Sequence, residues 1–129
     1  MKRVASTVVA VIDDDDRVLD ALGNLLKSAG YIAVLFGSAD AFLADAATIE
    51  TAACLISDVG VVGVNGFELQ TIMAERRPNL PVILITGRFA STDPRAISPN
   101  NFGIFEKPVL GEVLLDAVRK ATLTQSGKP

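Results

Sequence analysis

The sequence predicts an α/β domain in which helices cover both faces of a five-stranded parallel sheet. Short apolar runs rich in β-branched residues recur along the chain, and segments with the apolar spacing of helices separate them. Two of these runs, residues 8–12 and 82–86, are apolar almost throughout, which is typical of a strand covered on both faces. The alternation of strand and helix favours a doubly wound sheet with right-handed crossovers.

Five strands and four clear helices account for most of the chain. The strands are predicted at residues 8–12, 32–36, 54–57, 82–86 and, more weakly, at Ile104 and Phe105. The helices are predicted from the apolar face at Val18 to a stop at Gly30, from the capping residue Ser38, from Asn65-Gly66 to about Arg76, and from Leu110 to about Ala121. Two prolines interrupt residues 89–102, so the fourth helix of the alternation should be short or irregular.

Composition limits the class of protein. With 129 residues, 50% of them hydrophobic, the chain has the size of a single domain, with a core at about residues 6–122 and a flexible tail at 123–129. A net charge of −3 argues against unaided binding to nucleic acid or to an anionic membrane. A cytoplasmic location is expected, because no signal peptide is evident and Cys54 has no partner for an internal disulfide.

Five polar residues stand at the carboxyl ends of the predicted strands. Asp13 and Asp14 leave the first strand, Asp58 leaves the third, Thr86 closes the fourth and Lys107 follows the fifth. In the strand order 2-1-3-4-5, the order reverses between strands one and three, and ligands of open α/β sheets collect at such a point. We therefore expect these groups at one edge of the sheet.

Each of these residues also has a simpler interpretation. The run from Asp13 to Asp16 could cap the first helix, Thr86 with Gly87 could form an ordinary turn, and Lys107 could be a solvated cation. Capping needs one aspartate, however, and further carboxylates repel one another unless a cation lies between them. The chain has no histidine, and three carboxylates suit Mg²⁺. With a hydroxyl and a fixed positive charge, they provide what phosphoryl transfer to a carboxylate requires.

Four motifs, in order, resemble the signature of response-regulator receiver domains. They are Val-Ile-Asp13-Asp14, Leu-Ile-Ser-Asp58, Ile-Leu-Ile-Thr86-Gly87 and Phe-Glu-Lys107-Pro108, and the resemblance covers about residues 6–122. Residues 38–43 are similar to the nitrogen-fixation and nitrate-type branch of that family. The resemblance implies a flavodoxin-like fold and a two-component phosphoacceptor switch with self-catalysed phosphotransfer and autodephosphorylation, rather than an enzyme.

The resemblance also implies roles for the acidic residues. Asp58 would accept a phosphoryl group from the phosphohistidine of a sensor histidine kinase or a phosphotransfer protein. Asp14 and Asp58 would ligate Mg²⁺ directly, and Asp13 would act mainly through a metal-bound water. The carbonyl of Gly60 would be a further ligand.

The remaining site residues have implied roles after transfer. Lys107 would pair with the acyl phosphate, and the Thr86 hydroxyl would move toward it as the switch. Hydrolysis by water would reset the state, at a rate that residues such as Gly60 and Arg88 tune.

The chain departs from the family pattern at several positions. The position three before Lys107, commonly aromatic, holds Ile104, and Phe102 and Phe105 are predicted to face differently from it. Residues 59–66 carry valines and glycines where the family often has Met-Pro and an acidic residue, so this loop should be more flexible. The irregular fourth helix removes part of a face that the family commonly uses for dimerisation, so we expect a monomer or a weak dimer.

Four functions remain open from the sequence. The leading expectation is a stand-alone receiver that binds other proteins, because the chain begins with Met and ends soon after the last helix. The second is the receiver half of a transcription regulator whose DNA-binding domain is absent from this chain. The third is a degenerate receiver that is not phosphorylated. The fourth is a flavin or nucleotide-binding module, which would need a phosphate-cradling loop where this chain has aspartates.

Overall fold

The strands form one parallel sheet in the computed structural model, which describes residues 7–60, 64–87 and 98–126. They are β1 (Val8–Ile12), β2 (Ile32–Phe36), β3 (Ala52–Asp58), β4 (Val82–Thr86) and β5 (Asn101–Glu106). The sheet has the order β2-β1-β3-β4-β5, and every neighbouring pair is parallel. The predicted fold class and strand order are confirmed. β3 and β5 are longer than predicted, because β3 also includes Ala52, Ala53 and Asp58 and β5 also includes residues 101–103 and Glu106.

The helices are α1 (Asp16–Ser28), α2 (Ala39–Leu43), α3 (Ala46–Thr51), α4 (Gly66–Arg76) and α5 (Gly111–Ser126). The predicted cap at Ser38 is confirmed, but α2 is short and Asp45 caps a second helix, α3, that was not predicted. α5 continues past Ala121, and residues 123–126, predicted as tail, are helical because neither Gly nor Pro stops them. Residues 88–97 include Arg88 and most of the segment that was predicted to form a short or irregular fourth helix, and they lie outside the described residues.

Two hydrophobic clusters pack against opposite faces of the sheet. The first joins α2, α3 and α4 to the strands through residues that include Phe42, Ile49, Leu55, Leu69, Met73 and Leu84. The second joins α1 and α5 to the other face through residues that include Val11, Leu26, Ile56, Ile85, Leu114 and Val118. Cys54 lies in the second cluster, where burial raises the pKa of its thiol to about 12. This cysteine therefore stays protonated and acts as a small core side chain.

An irregularity in β5 sets the direction of its aromatic residues. Val82 pairs with Asn101 and Ile83 with Gly103, so Phe102 is an extra residue in the strand. Phe102 and Phe105 both pack against the α1 and α5 side, whereas Ile104 packs against the other cluster. The predicted difference in orientation is confirmed, but strict alternation would have placed Phe102 with Ile104. The extra residue is what separates them.

No helix within the described ranges combines the length and the apolar composition that spanning a membrane requires. The longest of them, α5, has 16 residues. A helix needs roughly 20 predominantly apolar residues to cross the hydrocarbon core of a bilayer.

Arg77 joins the end of α4 to the start of β3. Its guanidinium donates to the carbonyl of Ile49 at 2.8 Å and also to the carbonyl of Ala52. Partial burial lowers the pKa of Arg77 from its usual high value, yet guanidinium groups remain charged in proteins. One cation therefore satisfies two backbone carbonyls where α3 ends and β3 begins.

Replacing Arg77 with alanine should lower the free energy of unfolding by about 1–3 kcal/mol, because two charged hydrogen bonds are lost and their carbonyls lose a partner. The matched control is Arg76→Ala at the neighbouring exposed position. It should change the free energy of unfolding by less than about 0.5 kcal/mol. Urea unfolding followed by circular dichroism measures both variants, and equal effects would contradict the role assigned to Arg77.

Candidate functional site

The parallel strands bring the predicted site residues to one edge of the sheet. Asp13 directly follows β1, Asp58 ends β3, Thr86 ends β4 and Lys107 directly follows β5. These four strands are consecutive in the sheet. The four side chains therefore start from neighbouring strand ends, as the sequence predicts.

Three carboxylates form a tight cluster at this edge. One oxygen from each of Asp13, Asp14 and Asp58 lies within 4.8 Å of the others. Asp13 and Asp58 are 1% and 8% exposed, whereas Asp14 faces solvent. Oxygen donors at this spacing are the ligands that hard divalent cations such as Mg²⁺ prefer. The cluster combines two buried charges with one that an incoming ligand can reach.

Lys107 places a positive charge between the two buried carboxylates. Its ammonium lies 3.0 Å from Asp13 Oδ2 and 3.3 Å from Asp58 Oδ2. Partial burial acts to lower the pKa of Lys107, but the hydrogen bond to Asp13 and the charges of Asp58 and Asp13 outweigh burial and raise it. The lysine is therefore held charged and bridging, and its interpretation as a solvated cation is wrong.

Local hydrogen bonds fix the position of Asp13, and a different aspartate caps α1. The amide of Asp15 donates to Asp13 Oδ1 at 2.9 Å, and the amide of Asp13 donates to the Phe36 carbonyl at 3.1 Å. The N-cap of α1 is Asp15, whose side chain accepts from the Arg17 amide. One aspartate of the acidic run therefore caps the helix, and Asp13 is free of that task.

The main chain after Asp58 is held from several sides. Gly60 donates its amide to Asp58 Oδ1 at 3.3 Å, and the Val59 amide donates to the Ile85 carbonyl at 2.8 Å. The buried hydroxyl of Ser57 donates to the Asp58 carbonyl at 3.1 Å. Sequence reasoning did not single out Ser57, although a hydroxyl residue inside an apolar strand, directly before an aspartate, was a visible signal.

Thr86 and Gly87 close the site on the side of β4. Thr86 is 8% exposed, and its carbonyl accepts the Lys107 amide at 2.8 Å. Asp58 pairs with Ile85 in the sheet, so Thr86 stands one residue beyond the acidic position. A Cβ at Gly87 would meet no described atom within 4 Å.

An apolar cavity of about 460 Å³ adjoins the site. Val18 and Leu22 of α1 line one side of it, and Pro108 and Val109 line another. Lys107 borders the cavity and also contacts the carboxylates of Asp13 and Asp58, so the cavity and the acidic cluster are neighbours. The approach to Asp58 is thus acidic on one side and apolar on the other.

Residues 9–119 match the family described as the response regulator receiver domain. The match covers most of the chain, and the chain belongs to this family. It is a receiver domain of two-component response regulators, with the flavodoxin-like fold that the resemblance implied.

Relatives and solved structures agree with this family. The response regulator protein TmoT of Ectopseudomonas mendocina is 36% identical over 116 residues, which are 89% of this chain and 52% of TmoT. The transcriptional regulatory protein FixJ of Azorhizobium caulinodans is 36% identical over 126 residues, which are 95% of this chain and 58% of FixJ. This chain therefore spans a little over half the length of each relative. A CheY-like receiver domain of Methanospirillum hungatei, 22% identical, has the same fold with a TM-score of 0.84 over 95% of this chain and 98% of that one.

Replacing Lys107 with methionine should lower the free energy of unfolding in EDTA by about 1–3 kcal/mol, because two buried carboxylates would lose their shared charged partner. Lys120→Met is the control, since it removes an exposed pair with Asp116 at 3.1 Å. That pair should contribute less than about 0.5 kcal/mol. If urea unfolding gives Lys107→Met the same stability as the wild type, the bridge does not hold the cluster together.

Proposed function

We propose that Asp58 accepts a phosphoryl group in a Mg²⁺-dependent reaction and that this modification switches the binding of a protein partner. The observation that carries the proposal is the bridge from Lys107 to the buried carboxylates of Asp13 and Asp58, with Asp14 beside them. A structural ion pair needs one carboxylate. A second buried one and a third exposed one suit a site that binds a cation and an anionic group together.

The donor set fits Mg²⁺. The carboxylates of Asp14 and Asp58 would hold the ion directly, Asp13 would hold it through a water, and the Gly60 carbonyl would complete the protein ligands. Few protein carboxylates with room for water and phosphate oxygens are typical of Mg²⁺ sites. When bound, Mg²⁺ would neutralise charge on the phosphoryl oxygens.

Asp58, Lys107 and Thr86 would each have a separate role in the transfer of the phosphoryl group. A carboxylate oxygen of Asp58 would attack phosphorus, and the bond from phosphorus to the imidazole nitrogen of the donor histidine would break, with its electron pair staying on the imidazole. Lys107, whose ammonium lies 3.3 Å from Asp58 Oδ2, would pair with an oxygen of the acyl phosphate formed there. The Thr86 hydroxyl would donate to a phosphoryl oxygen. Attack by water on phosphorus would later break its bond to the Asp58 oxygen, release inorganic phosphate and restore the carboxylate.

The donor would be a sensor histidine kinase or a phosphotransfer protein in the cytoplasm. Phosphorus must reach Asp58, which is 8% exposed, so the donor must cover the rim of the site. That rim is acidic at Asp14 and apolar at the cavity beside Lys107. In this proposal the chain is a monomer or a weak dimer. It does not bind nucleic acid by itself, because its net charge is −3.

Two outputs are compatible with this switch. The chain could act alone on a protein partner, or it could be the receiver half of a longer transcription regulator. The second candidate is favoured by the relatives, since FixJ is a transcriptional regulatory protein of which this chain matches 58%. The length of the natural open reading frame distinguishes the two, because a DNA-binding domain would have to follow the last helix.

Incubation with acetyl phosphate and Mg²⁺ should add one phosphoryl group to the wild-type chain and none to Asp58→Asn, because only the carboxylate can form an acyl phosphate. Intact-mass spectrometry measures the gain. The control is Asp116→Asn, which removes an exposed carboxylate on α5 and should behave as the wild type. A wild-type chain that gains no group would support the degenerate receiver, and a gain in Asp58→Asn would place the acceptor elsewhere.

A further inference from the structure

Two residues that contribute no group to the carboxylate cluster contact the main chain at Asp58. They are Ser57, the last strand residue before it, and Gly66, the first residue of α4. Both meet the segment from Asp58 to Gly60, which carries the acceptor carboxylate and the proposed carbonyl ligand.

Ser57 is fully buried and its hydroxyl donates to the Asp58 carbonyl at 3.1 Å. It pairs with Ile12 on one side and Leu84 on the other, so its surroundings are apolar. A hydroxyl buried without a partner destabilises a fold by roughly 1–3 kcal/mol. The hydrogen bond to the Asp58 carbonyl therefore avoids the cost of burying the Ser57 hydroxyl without a partner. The same bond fixes the position of the Asp58 carbonyl.

Gly66, which follows the segment in the sequence, contacts the same main chain. Its amide donates to the Val59 carbonyl at 3.1 Å. A Cβ at position 66 would lie 2.8 Å from Val59 Cα and 3.1 Å from the Asp58 carbonyl oxygen. Both neighbours are backbone atoms, so a larger residue would displace the segment itself rather than a flexible side chain.

The N-terminus of α4 cannot easily move away to relieve such a clash. Asn65 and Glu68 form a reciprocal capping box, with bonds of 2.9 and 3.0 Å. Phe67 and Leu69, just inside the helix, are buried in the first hydrophobic cluster. The N-terminus of α4 is therefore held in place, and it limits the movement of Val59.

We propose that Ser57 and Gly66 are positioning residues that set the Mg²⁺ affinity of the site by fixing the backbone from Asp58 to Gly60. The inference rests on the proposed function, since it concerns the same site. Gly60, which would supply the carbonyl ligand, has no side chain to restrict its backbone. The contacts of Ser57 and Gly66 add to the bond from the Val59 amide to the Ile85 carbonyl in holding this segment.

The test is a calorimetric Mg²⁺ titration, without any phosphodonor, of the wild type, Ser57→Ala, Ser57→Thr and Gly66→Ala. Loss of groups that orient metal ligands weakens metal affinity by about 10–100-fold. Ser57→Ala and Gly66→Ala should therefore bind Mg²⁺ at least about tenfold more weakly. Ser57→Thr keeps the hydroxyl and should recover most of the wild-type affinity.

Two controls separate positioning from ordinary stability. Thr122→Val removes a buried hydroxyl that donates to the Arg119 carbonyl at 3.1 Å in α5, away from the loop. Gly37→Ala adds a methyl group where no described atom lies within 4 Å. Both should keep the wild-type Mg²⁺ affinity, even if urea unfolding shows that Thr122→Val and Ser57→Ala lose similar stability.

The outcomes are distinguishable from failure of the proposed function. If the wild type binds no Mg²⁺, the proposed function and this inference both fail. If the wild type binds Mg²⁺ and Ser57→Ala binds it equally well, the site stands and the positioning role is wrong. Should Gly66→Ala fail to fold, the comparison of Ser57→Ala with Ser57→Thr decides alone, and equal affinities for those two variants would overturn the inference.

Discussion

The bridge from Lys107 to Asp13 and Asp58 is the interaction on which the rest of the site depends. Two buried carboxylates at one sheet edge repel each other strongly unless a cation lies between them. The ammonium lies 3.0 and 3.3 Å from the two oxygens, which satisfies this requirement in the fold itself. Asp14, on the solvent side, adds a charge that the single lysine does not balance. The site is therefore stable as folded, yet retains negative charge that favours a divalent cation.

The architecture explains why these residues meet although they are far apart in the sequence. Asp13 and Lys107 are separated by 94 positions, and each directly follows a strand of the same parallel sheet. The strand register then fixes how far along the sheet each site residue lies, since Asp58 pairs with Ile85 and Thr86 pairs with Glu106. Buried clusters on both faces hold the strands rigid. The core therefore positions the strand ends, and the segments that follow them set the final positions of the site groups.

The sequence predicted the sheet and the clustering of the carboxylates well, because both follow from apolar runs and from residues placed at strand ends. It did not predict α3, whose six residues carry a weak apolar signal behind the cap Asp45. The extra residue at Phe102 also escaped prediction, since strand irregularities depend on tertiary pairing. The bridging position of Lys107 and the contact of Ser57 with the Asp58 carbonyl are matters of side-chain direction, which spacing alone does not specify.

The most direct test of the central claim is fluorine NMR of the chain with beryllofluoride, a mimic of the phosphoryl group. If the carboxylates and Lys107 form one Mg²⁺-dependent acceptor site, resonances of bound beryllofluoride will appear with Mg²⁺, vanish in EDTA and be missing in Asp58→Asn. Bound resonances that persist in EDTA or in Asp58→Asn would contradict the account. So would a wild-type chain that binds no beryllofluoride at saturating Mg²⁺.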